Sequence, residues 1–228
     1  MAQGSAEWML RRKKCAATCS EFANALGIGY ISRQKYMRIK LEQEEPEATN
    51  WMMQQGQLRE NWVCELYFRI MAAFKQPVLL YTDSFKVYAQ DRRLGGSPDR
   101  IVFDAATGER WLLECKTAYA DTMRDSVPAA HSLQMLGLCE IYGLDKAHYI
   151  CSNYERGIYV AEVCWTPGFW CNEVLPRLRQ FADWWTLKQQ PPQMKSEDKE
   201  RLLELIEANT IVTEIPAISQ LVQARECQ

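Results

Sequence analysis

Hydrophobic residues in the first part of the chain recur at helical spacing and are separated by charged and amide side chains. This pattern predicts two or three helices between residues 8 and 41. One of them is expected to span residues 21–26, with Ser20 as its N-cap and Gly27 at its end, and another to span residues 32–41.

A longer helix is predicted over residues 48–74, and Pro77 follows its end. Large apolar side chains recur within it at spacings that place them broadly on one side, which predicts a single buried face. These side chains are Met52, Leu58, Trp62, Leu66 and Ile70.

The middle of the chain changes to short apolar runs separated by turn residues, which predicts strands. The runs cover residues 78–81, 87–90, 100–103, 111–116, 147–151 and 158–163. The runs at 100–103 and 111–116 are expected to form a hairpin around Thr107-Gly108. Further helices are predicted over residues 129–142, from Pro167 to just before Pro191-Pro192, and over 197–209.

This order of helices and strands is typical of an α/β domain with a mixed central sheet flanked by helices. The pair Pro191-Pro192 reads as a short linker. We therefore expect one domain over residues 1–190 and a C-terminal helical extension over 191–228, packed on or near that domain.

Composition narrows the class of protein. The chain has 228 residues, 47% hydrophobic and 25% charged, which is the balance of a soluble globular protein. The net charge of −2 excludes a uniformly basic nucleic-acid coat, but not a local basic face. Neither a long apolar run nor the apolar core of a secretion signal is recognisable, so we expect no membrane association. Nine scattered cysteines without a C-x-x-C pair favour a reducing, cytoplasmic compartment.

Charge is unevenly distributed along the chain. Residues 11–40 hold eight basic side chains against one acid, Glu21. Such a run is either a solvated helix surface or a face that contacts phosphate groups. The eight are Arg11, Arg12, Lys13, Lys14, Arg33, Lys35, Arg38 and Lys40.

The densest chemical signal lies in the two strands of the predicted hairpin. Asp99 stands at the start of one strand, and Glu114 and Lys116 stand two residues apart on the next, which places both on one face. If the hairpin pairs these strands, two carboxylates and an ammonium group converge. Two carboxylates with room for water suit Mg²⁺, and a lysine beside them can orient or deprotonate a water molecule. An ordinary surface hairpin with a Glu–Lys pair is the alternative.

The same residues resemble a known signature. Pro98-Asp99 with Glu114-Cys115-Lys116 resembles the motif of PD-(D/E)xK nucleases, and its surroundings are similar to the lambda-exonuclease-like, or YqaJ-type, viral recombinase family. The resemblance covers roughly residues 7–165 and implies the PD-(D/E)xK, restriction-endonuclease-like fold. The other matching segments, in the order of the family, are residues 7–12 with 17–21, residues 56–61, and His131-Ser132-Leu133-Gln134.

The resemblance also implies roles for the residues at matching positions. Asp99 and Glu114 would bind the metal together with the backbone carbonyl of Cys115, and Lys116 would position the attacking water. The two remaining positions of the family's catalytic site are occupied here by Glu60, which would complete the site, and Gln134, which would orient Lys116 or the water.

A second group of residues would recognise the end of the DNA. Arg12, with Ser20 and Thr18, would hold the 5′-phosphate of the strand being degraded, and Arg11 competes with Arg12 for this role. The family hydrolyses one strand of linear duplex DNA in the 5′→3′ direction. The resemblance implies two Mg²⁺ ions per active site with Mn²⁺ as a substitute, a homotrimer, and a single-strand annealing protein as partner in recombination.

The chain departs from the family pattern before Thr18, where the usual apolar residue is missing although both hydroxyls are kept, and at two positions beside the catalytic motifs. Arg100 follows Pro98-Asp99 where the family usually has glycine, and its side chain either reaches DNA or occupies surface. His131 replaces the usual tyrosine, so it is assigned no role. The alternatives to an exonuclease are a structure-specific or restriction-like endonuclease of the same superfamily, or a catalytically idle scaffold that binds DNA ends.

Overall fold

A six-stranded mixed sheet forms the centre of the computed structural model, which describes residues 4–46, 51–118, 126–153 and 157–215. The strands at residues 110–117 and 147–153 run parallel to each other, and the other neighbouring pairs run antiparallel. In spatial order the strands are β2 (Val78–Tyr81), β5 (Arg100–Asp104), β6 (Arg110–Thr117), β7 (Ala147–Asn153), β8 (Gly157–Trp165) and β9 (Thr210–Glu214). The predicted mixed sheet and the predicted hairpin of residues 100–103 and 111–116 are confirmed.

A second, three-stranded sheet consists of β1 (Ala17–Thr18), β4 (Asp91–Gly96) and β3 (Lys86–Tyr88), with β4 in the middle. The sequence pattern does not predict β4, which ends on two glycines. A Cβ on Gly96 would lie 2.7 Å from Cys19 Sγ, and a Cβ on Gly95 would lie 2.7 Å from Phe85 Cζ. Glycine is therefore required at the end of β4 by close packing, and the strand exists through its pairing with distant residues.

Helices cover both faces of the central sheet. They are α1 (Ala6–Lys13), α2 (Phe22–Leu26), α3 (Arg33–Lys40), α4 (Trp51–Ala73), α5 (Ala129–Tyr142), α6 (Leu175–Thr186) and α7 (Ser196–Asn209). A π-helical turn over Trp170–Val174 precedes α6. Helix α4 packs on one face, and helices α2, α3, α5, α6 and α7 supply side chains to the larger core on the other. The functional strands β5 and β6 are thus enclosed between two apolar layers.

The buried face of α4 differs from the predicted one. Val63 and Tyr67 are fully buried against the sheet, whereas the side chain of Leu58 is 73% exposed. The predicted stripe advances by four residues from Leu58 to Ile70, and each such step rotates by about 40° around a helix of 3.6 residues per turn. Over three steps the stripe turns by about 120°, so only its last two positions reach the core, where Leu66 is partly buried and Ile70 is buried.

The prediction of Ser20 as an N-cap is wrong. Ser20 lies inside a 3₁₀ turn over Cys19–Glu21 whose N-cap is Thr18, and α2 starts at Phe22. Thr18 is the N-cap because the Glu21 carboxylate accepts hydrogen bonds from the backbone N–H and the hydroxyl of Thr18. These contacts stabilise the start of the turn. Gly27 ends α2 in a left-handed conformation with φ of 83°, as predicted.

The C-terminal segment is part of the same architecture as the rest of the chain. Helix α7 packs into the larger core through Leu202 and Ile206, and β9 pairs with β8 at the edge of the central sheet. The structure therefore differs from a purely helical extension beginning at residue 191, because a strand after α7 completes the sheet. Residues 216–228 of that predicted extension lie outside the described residues. In the described part of the chain, no helix combines the length and the apolar character needed to cross a membrane.

Candidate active site

The hairpin of β5 and β6 brings the predicted acidic residues together. Its register pairs Arg100 with Leu113, so Asp99, directly before β5, lies beside Glu114. The Asp99 carboxylate accepts a hydrogen bond of 2.9 Å from the backbone N–H of Cys115. On the same face of β6, the Lys116 ammonium group forms an ion pair with Glu114. Two carboxylates and one lysine therefore meet at the end of the strand.

Burial and neighbouring charges shift the pKa values of both partners of this ion pair. Glu114 is fully buried, and its burial together with the nearby charge of Asp99 raises the pKa of Glu114 to about 8. Burial alone lowers the pKa of Lys116, but the charges of Glu114 and Asp99 outweigh it and the net shift is upward. Lys116 consequently carries a proton at neutral pH.

The carboxylate pair fits a divalent cation. Glu114 Oε2 is buried and has no hydrogen-bond partner among the described residues, so one acceptor is left for a ligand that is not part of the chain. In the parts of the chain that the structure describes, no three His, Cys, Asp or Glu side chains stand close enough to hold a metal by themselves. Asp99 and Glu114 would therefore need the Cys115 carbonyl, water or substrate oxygens to complete the shell, which is the pattern that Mg²⁺ favours.

Glu60 reaches the edge of this site from α4. Its Oε1 atom lies 3.3 Å from Nη1 of Arg100. Burial, followed by the charge of Asp99, raises the pKa of Glu60. Sequence reasoning assigned no partner to Arg100, and the structure places it between Glu60 and the hairpin.

Gln134 and His131 lie on the same helix, α5, but contact different partners. Gln134 Oε1 accepts a hydrogen bond of 3.5 Å from Lys116 Nζ, so the amide contacts the lysine directly. The Nδ1 atom of His131 instead lies 3.0 Å from the hydroxyl of Tyr149. The Cys115 thiol points to the opposite face of β6, where its Sγ is 3.4 Å from Sγ of Cys64.

A second polar cluster forms around Arg12 in α1. Arg12 donates a hydrogen bond of 3.3 Å to Ser20 Oγ, and the hydroxyls of Ser20 and Thr18 are 3.4 Å apart. The guanidinium group of Arg12 also stacks 4.6 Å from the ring centre of Trp8. Arg11 lies elsewhere, in an exposed pair with Glu7 at 2.9 Å. The structure therefore brings Arg12, and not Arg11, together with Thr18 and Ser20.

Trp8 connects the Arg12 cluster to the carboxylate site. Its indole Nε1 donates a hydrogen bond of 3.0 Å to Ser97 Oγ, two residues before Asp99. The contact joins α1 to the segment that leads into β5. The Arg12 cluster and the segment that ends in Asp99 are consequently linked through Trp8 and Ser97.

Sequence reasoning missed the residues that organise the Arg12 cluster. Glu21 accepts hydrogen bonds from the Thr18 hydroxyl at 2.6 Å and from the Tyr36 hydroxyl at 3.0 Å, and lies 3.4 Å from Arg12. Lys40 donates to the carbonyl of Arg12 at 3.4 Å. The spacing Thr18-x-x-Glu21 is a capping-box signal, and it predicts the contact between Thr18 and Glu21. The contacts of Tyr36 and Lys40 depend on tertiary packing, which the sequence pattern does not show.

We expect Glu21→Gln to lower the free energy of unfolding by about 1–3 kcal/mol, because it weakens several charge-assisted contacts at a half-buried position. Burial raises the pKa of Glu21, but the charges of Lys40 and Arg12 and the hydrogen bonds from Thr18 together lower it by more. The net shift of the pKa is therefore downward. A depressed pKa in the folded state stabilises the protein above the ordinary pKa and ceases to do so as the pH falls.

Urea unfolding of both proteins between about pH 7 and pH 3 measures this contribution. The difference between wild type and Glu21→Gln should be largest at neutral pH and shrink in acid. Glu42→Gln is the matched control, since Glu42 is exposed and lies 3.9 Å from Lys13. An equal effect of the two substitutions would contradict the organising role of Glu21.

Comparison with known proteins agrees with this architecture. The chain is similar in fold to the crystal structure of an alkaline exonuclease, LHK-Exo, from Laribacter hongkongensis. The TM-score is 0.65 at 17% sequence identity, over 81% of this chain and 94% of that chain. The structure of LHK-Exo in complex with dAMP gives a TM-score of 0.66 at 18% identity, over the same shares of both chains.

These similarities confirm the predicted PD-(D/E)xK fold, an α/β domain with a mixed sheet between helices. No curated protein matches the sequence. The model of the YqaJ-like viral recombinase domain matches residues 7–151, a range that includes Arg12, Glu60, Asp99, Glu114, Lys116 and Gln134. The chain therefore belongs to the family of YqaJ-like viral recombinase domains.

Proposed function

We propose that the chain is a metal-dependent exonuclease that degrades one strand of linear duplex DNA from 5′-phosphorylated ends, in the manner of phage-type recombination. The observation that carries this proposal is the convergence of Asp99, Glu114 and Lys116, with one buried carboxylate oxygen unpaired among the described residues. The solved structures that are similar in fold, an alkaline exonuclease and its complex with dAMP, support the same chemistry.

The metal would be held by Asp99, Glu114 and the backbone carbonyl of Cys115. A divalent cation, Mg²⁺ or Mn²⁺, supplies positive charge that stabilises the charge developing on the phosphate during hydrolysis. The resemblance to the family supports two such ions per site. The orphaned oxygen of Glu114 is the feature of this chain that supports at least one.

Lys116 acts on the attacking water by orienting it. Because its pKa is raised, the ammonium group stays protonated and donates hydrogen bonds rather than accepting a proton. Glu114 and Gln134 hold the ammonium group from two sides, which restricts the direction in which Lys116 can donate. Positioning of this kind accounts for a large share of the rate in phosphoryl transfer.

The Arg12 cluster supports degradation from the 5′ end. A guanidinium group with two hydroxyls beside it forms charge-assisted hydrogen bonds with a terminal phosphate. The link from Trp8 to Ser97 joins this cluster to the carboxylate site, so a 5′-end held by Arg12 is presented to the hydrolytic residues. The first phosphodiester bond of the strand is then the bond that is cleaved.

The decisive experiment uses linear duplex DNA labelled at either end, with a 5′-phosphate or a 5′-hydroxyl, with and without Mg²⁺. The proposal expects loss of the 5′-label first, faster on phosphorylated ends, and only with the metal. A closed circular duplex of the same sequence is the control and should survive. Cutting of the circle would identify an endonuclease, and binding of ends without cleavage would identify a scaffold.

We further propose a homotrimer that works with a single-strand annealing protein. The separation of charge supports enclosure of DNA, since basic residues concentrate in α1 and α3 and the first turn of α7 is acidic. The number three comes from the resemblance to the family. The expected solution mass is about 80 kDa, three times the 26.5 kDa of the chain, and light scattering measures it. A mass of one chain at micromolar concentration would contradict the ring without affecting the chemistry.

A further inference from the structure

Arg100 occupies the position after Pro98-Asp99, where the family pattern usually has glycine. Its side chain is largely buried, with 17% of it exposed, and extends from the start of β5 toward α4. It makes three contacts there: Nη1 donates to the Asp99 carbonyl and lies 3.3 Å from Glu60 Oε1, and Nη2 donates to Asn61 Oδ1 at 2.6 Å. Arg100 therefore ties the hairpin of the carboxylate site to helix α4.

The partner of Arg100 on α4 is itself a candidate residue of the active site. Glu60 lies near Asp99, and its burial, followed by the repulsion between these two carboxylates, raises the pKa of Glu60. A glutamate side chain under such repulsion tends to rotate away from the like charge unless another group holds it. The planar guanidinium group of Arg100 binds the backbone carbonyl of Asp99 and the side chains of Glu60 and Asn61 at once. These contacts restrict the rotation of the Glu60 side chain.

We propose that Arg100 is a positioning residue that holds Glu60 at the edge of the metal site while its positive charge weakens the attraction of that site for the metal. This inference rests on the proposed nuclease function. Glycine at this position would provide neither the contact nor the charge. In this chain the side chain of Arg100 thus orients the carboxylate of Glu60, and its positive charge lowers the affinity for the metal.

The two roles have opposite consequences, which makes them separable. Arg100→Ala frees Glu60 and should lower kcat by about tenfold, because misplaced catalytic groups are costly in rate. The same change removes a positive charge near the metal site and should lower the Mg²⁺ concentration for half-maximal activity by about threefold. Removal of an arginine with a merely structural role would not make the metal bind more tightly.

Arg100→Lys separates charge from geometry. Lysine keeps the positive charge but cannot bridge three acceptors with one planar group. Half-saturation by Mg²⁺ should then stay within about twofold of the wild-type value while kcat still falls. Arg69→Ala is the matched control, since Arg69 also pairs with a glutamate of α4, Glu65, but on its exposed side. It should change neither quantity.

A double-mutant cycle with Glu60→Gln tests whether Arg100 acts through Glu60. If it does, Arg100→Ala slows the wild-type enzyme about tenfold but changes the Glu60→Gln enzyme by less than about twofold. Equal slowing in both backgrounds would overturn the proposal.

A second readout needs no catalysis. Calorimetric titration of Mn²⁺ into the protein alone should show about threefold tighter binding to Arg100→Ala and unchanged binding to Arg100→Lys and Arg69→Ala. Weaker or unchanged binding to Arg100→Ala would overturn the proposed effect of its charge. Thermal melting verifies folding, and if Arg100→Ala does not fold, the loss of kcat in Arg100→Lys decides the positioning role. If the wild type binds Mn²⁺ but cleaves no linear DNA, the proposed function fails, while the titration still tests the charge of Arg100.

Discussion

Glu114→Gln is expected to lower the rate of DNA cleavage by at least about a hundredfold, because it removes a metal-binding charge while preserving the shape of the side chain. Asp99→Ala and Lys116→Ala should cause losses of the same order. Glu114 is the most informative of the three, since its buried Oε2 has no partner among the described residues and its neutralisation leaves the surrounding packing intact.

The fold should tolerate this change. Burial and the charge of Asp99 already disfavour the charged form of Glu114 by raising its pKa, and glutamine has the same size and shape, so a neutral amide fits in its place. Thermal melting without metal should therefore show no loss of stability.

Initial rates on 5′-phosphorylated linear duplex, measured over a range of Mg²⁺ concentrations, give the size of the effect. Glu109→Gln is the control, because Glu109 lies in the turn of the same hairpin, at the opposite end from Asp99 and Glu114, and pairs with Lys146 at 2.9 Å. Near-normal activity of Asp99→Ala in Mg²⁺ would show that the site has been wrongly assigned.

Local sequence pattern predicted the part of the fold that carries the chemistry. The strands around Asp99 and Glu114 are short apolar runs joined by a tight turn, so their pairing depends on few residues that are close in sequence. The same holds for α5, whose end at Gly143 follows directly from a glycine in left-handed conformation. The resemblance to a known family then named the site residues on these elements.

The features that were missed depend on distant parts of the chain. Strand β4 pairs with β1, more than seventy residues earlier, and β9 exists only because it extends the edge of the sheet beside β8. The contacts of Tyr36 and Lys40 with the Arg12 cluster, and of Arg100 with Glu60, likewise join separate elements. Periodicity and propensity carry no information on such pairings, which only the assembled core determines.

End recognition provides the second large effect. Arg12→Ala should slow digestion of 5′-phosphorylated duplex by about tenfold to a hundredfold, the range expected for loss of hydrogen bonds to a charged group. Digestion of 5′-hydroxyl ends should slow far less, since the terminal phosphate that Arg12 would bind is absent there. The preference for phosphorylated ends should therefore disappear in the variant.

Arg11→Ala is the matched control for this prediction. Arg11 is adjacent in sequence and equally charged, but it pairs with Glu7 on the exposed side of α1, whereas Arg12 contacts Ser20 and stacks on Trp8. Initial rates of both variants on the two kinds of ends separate the possible roles. Equal slowing on both ends would reduce Arg12 to general contact with the DNA backbone, and a selective effect of Arg11→Ala instead would transfer the phosphate-binding role to Arg11. Since the two residues contribute the same net charge, any difference between the variants arises from the position of the guanidinium group.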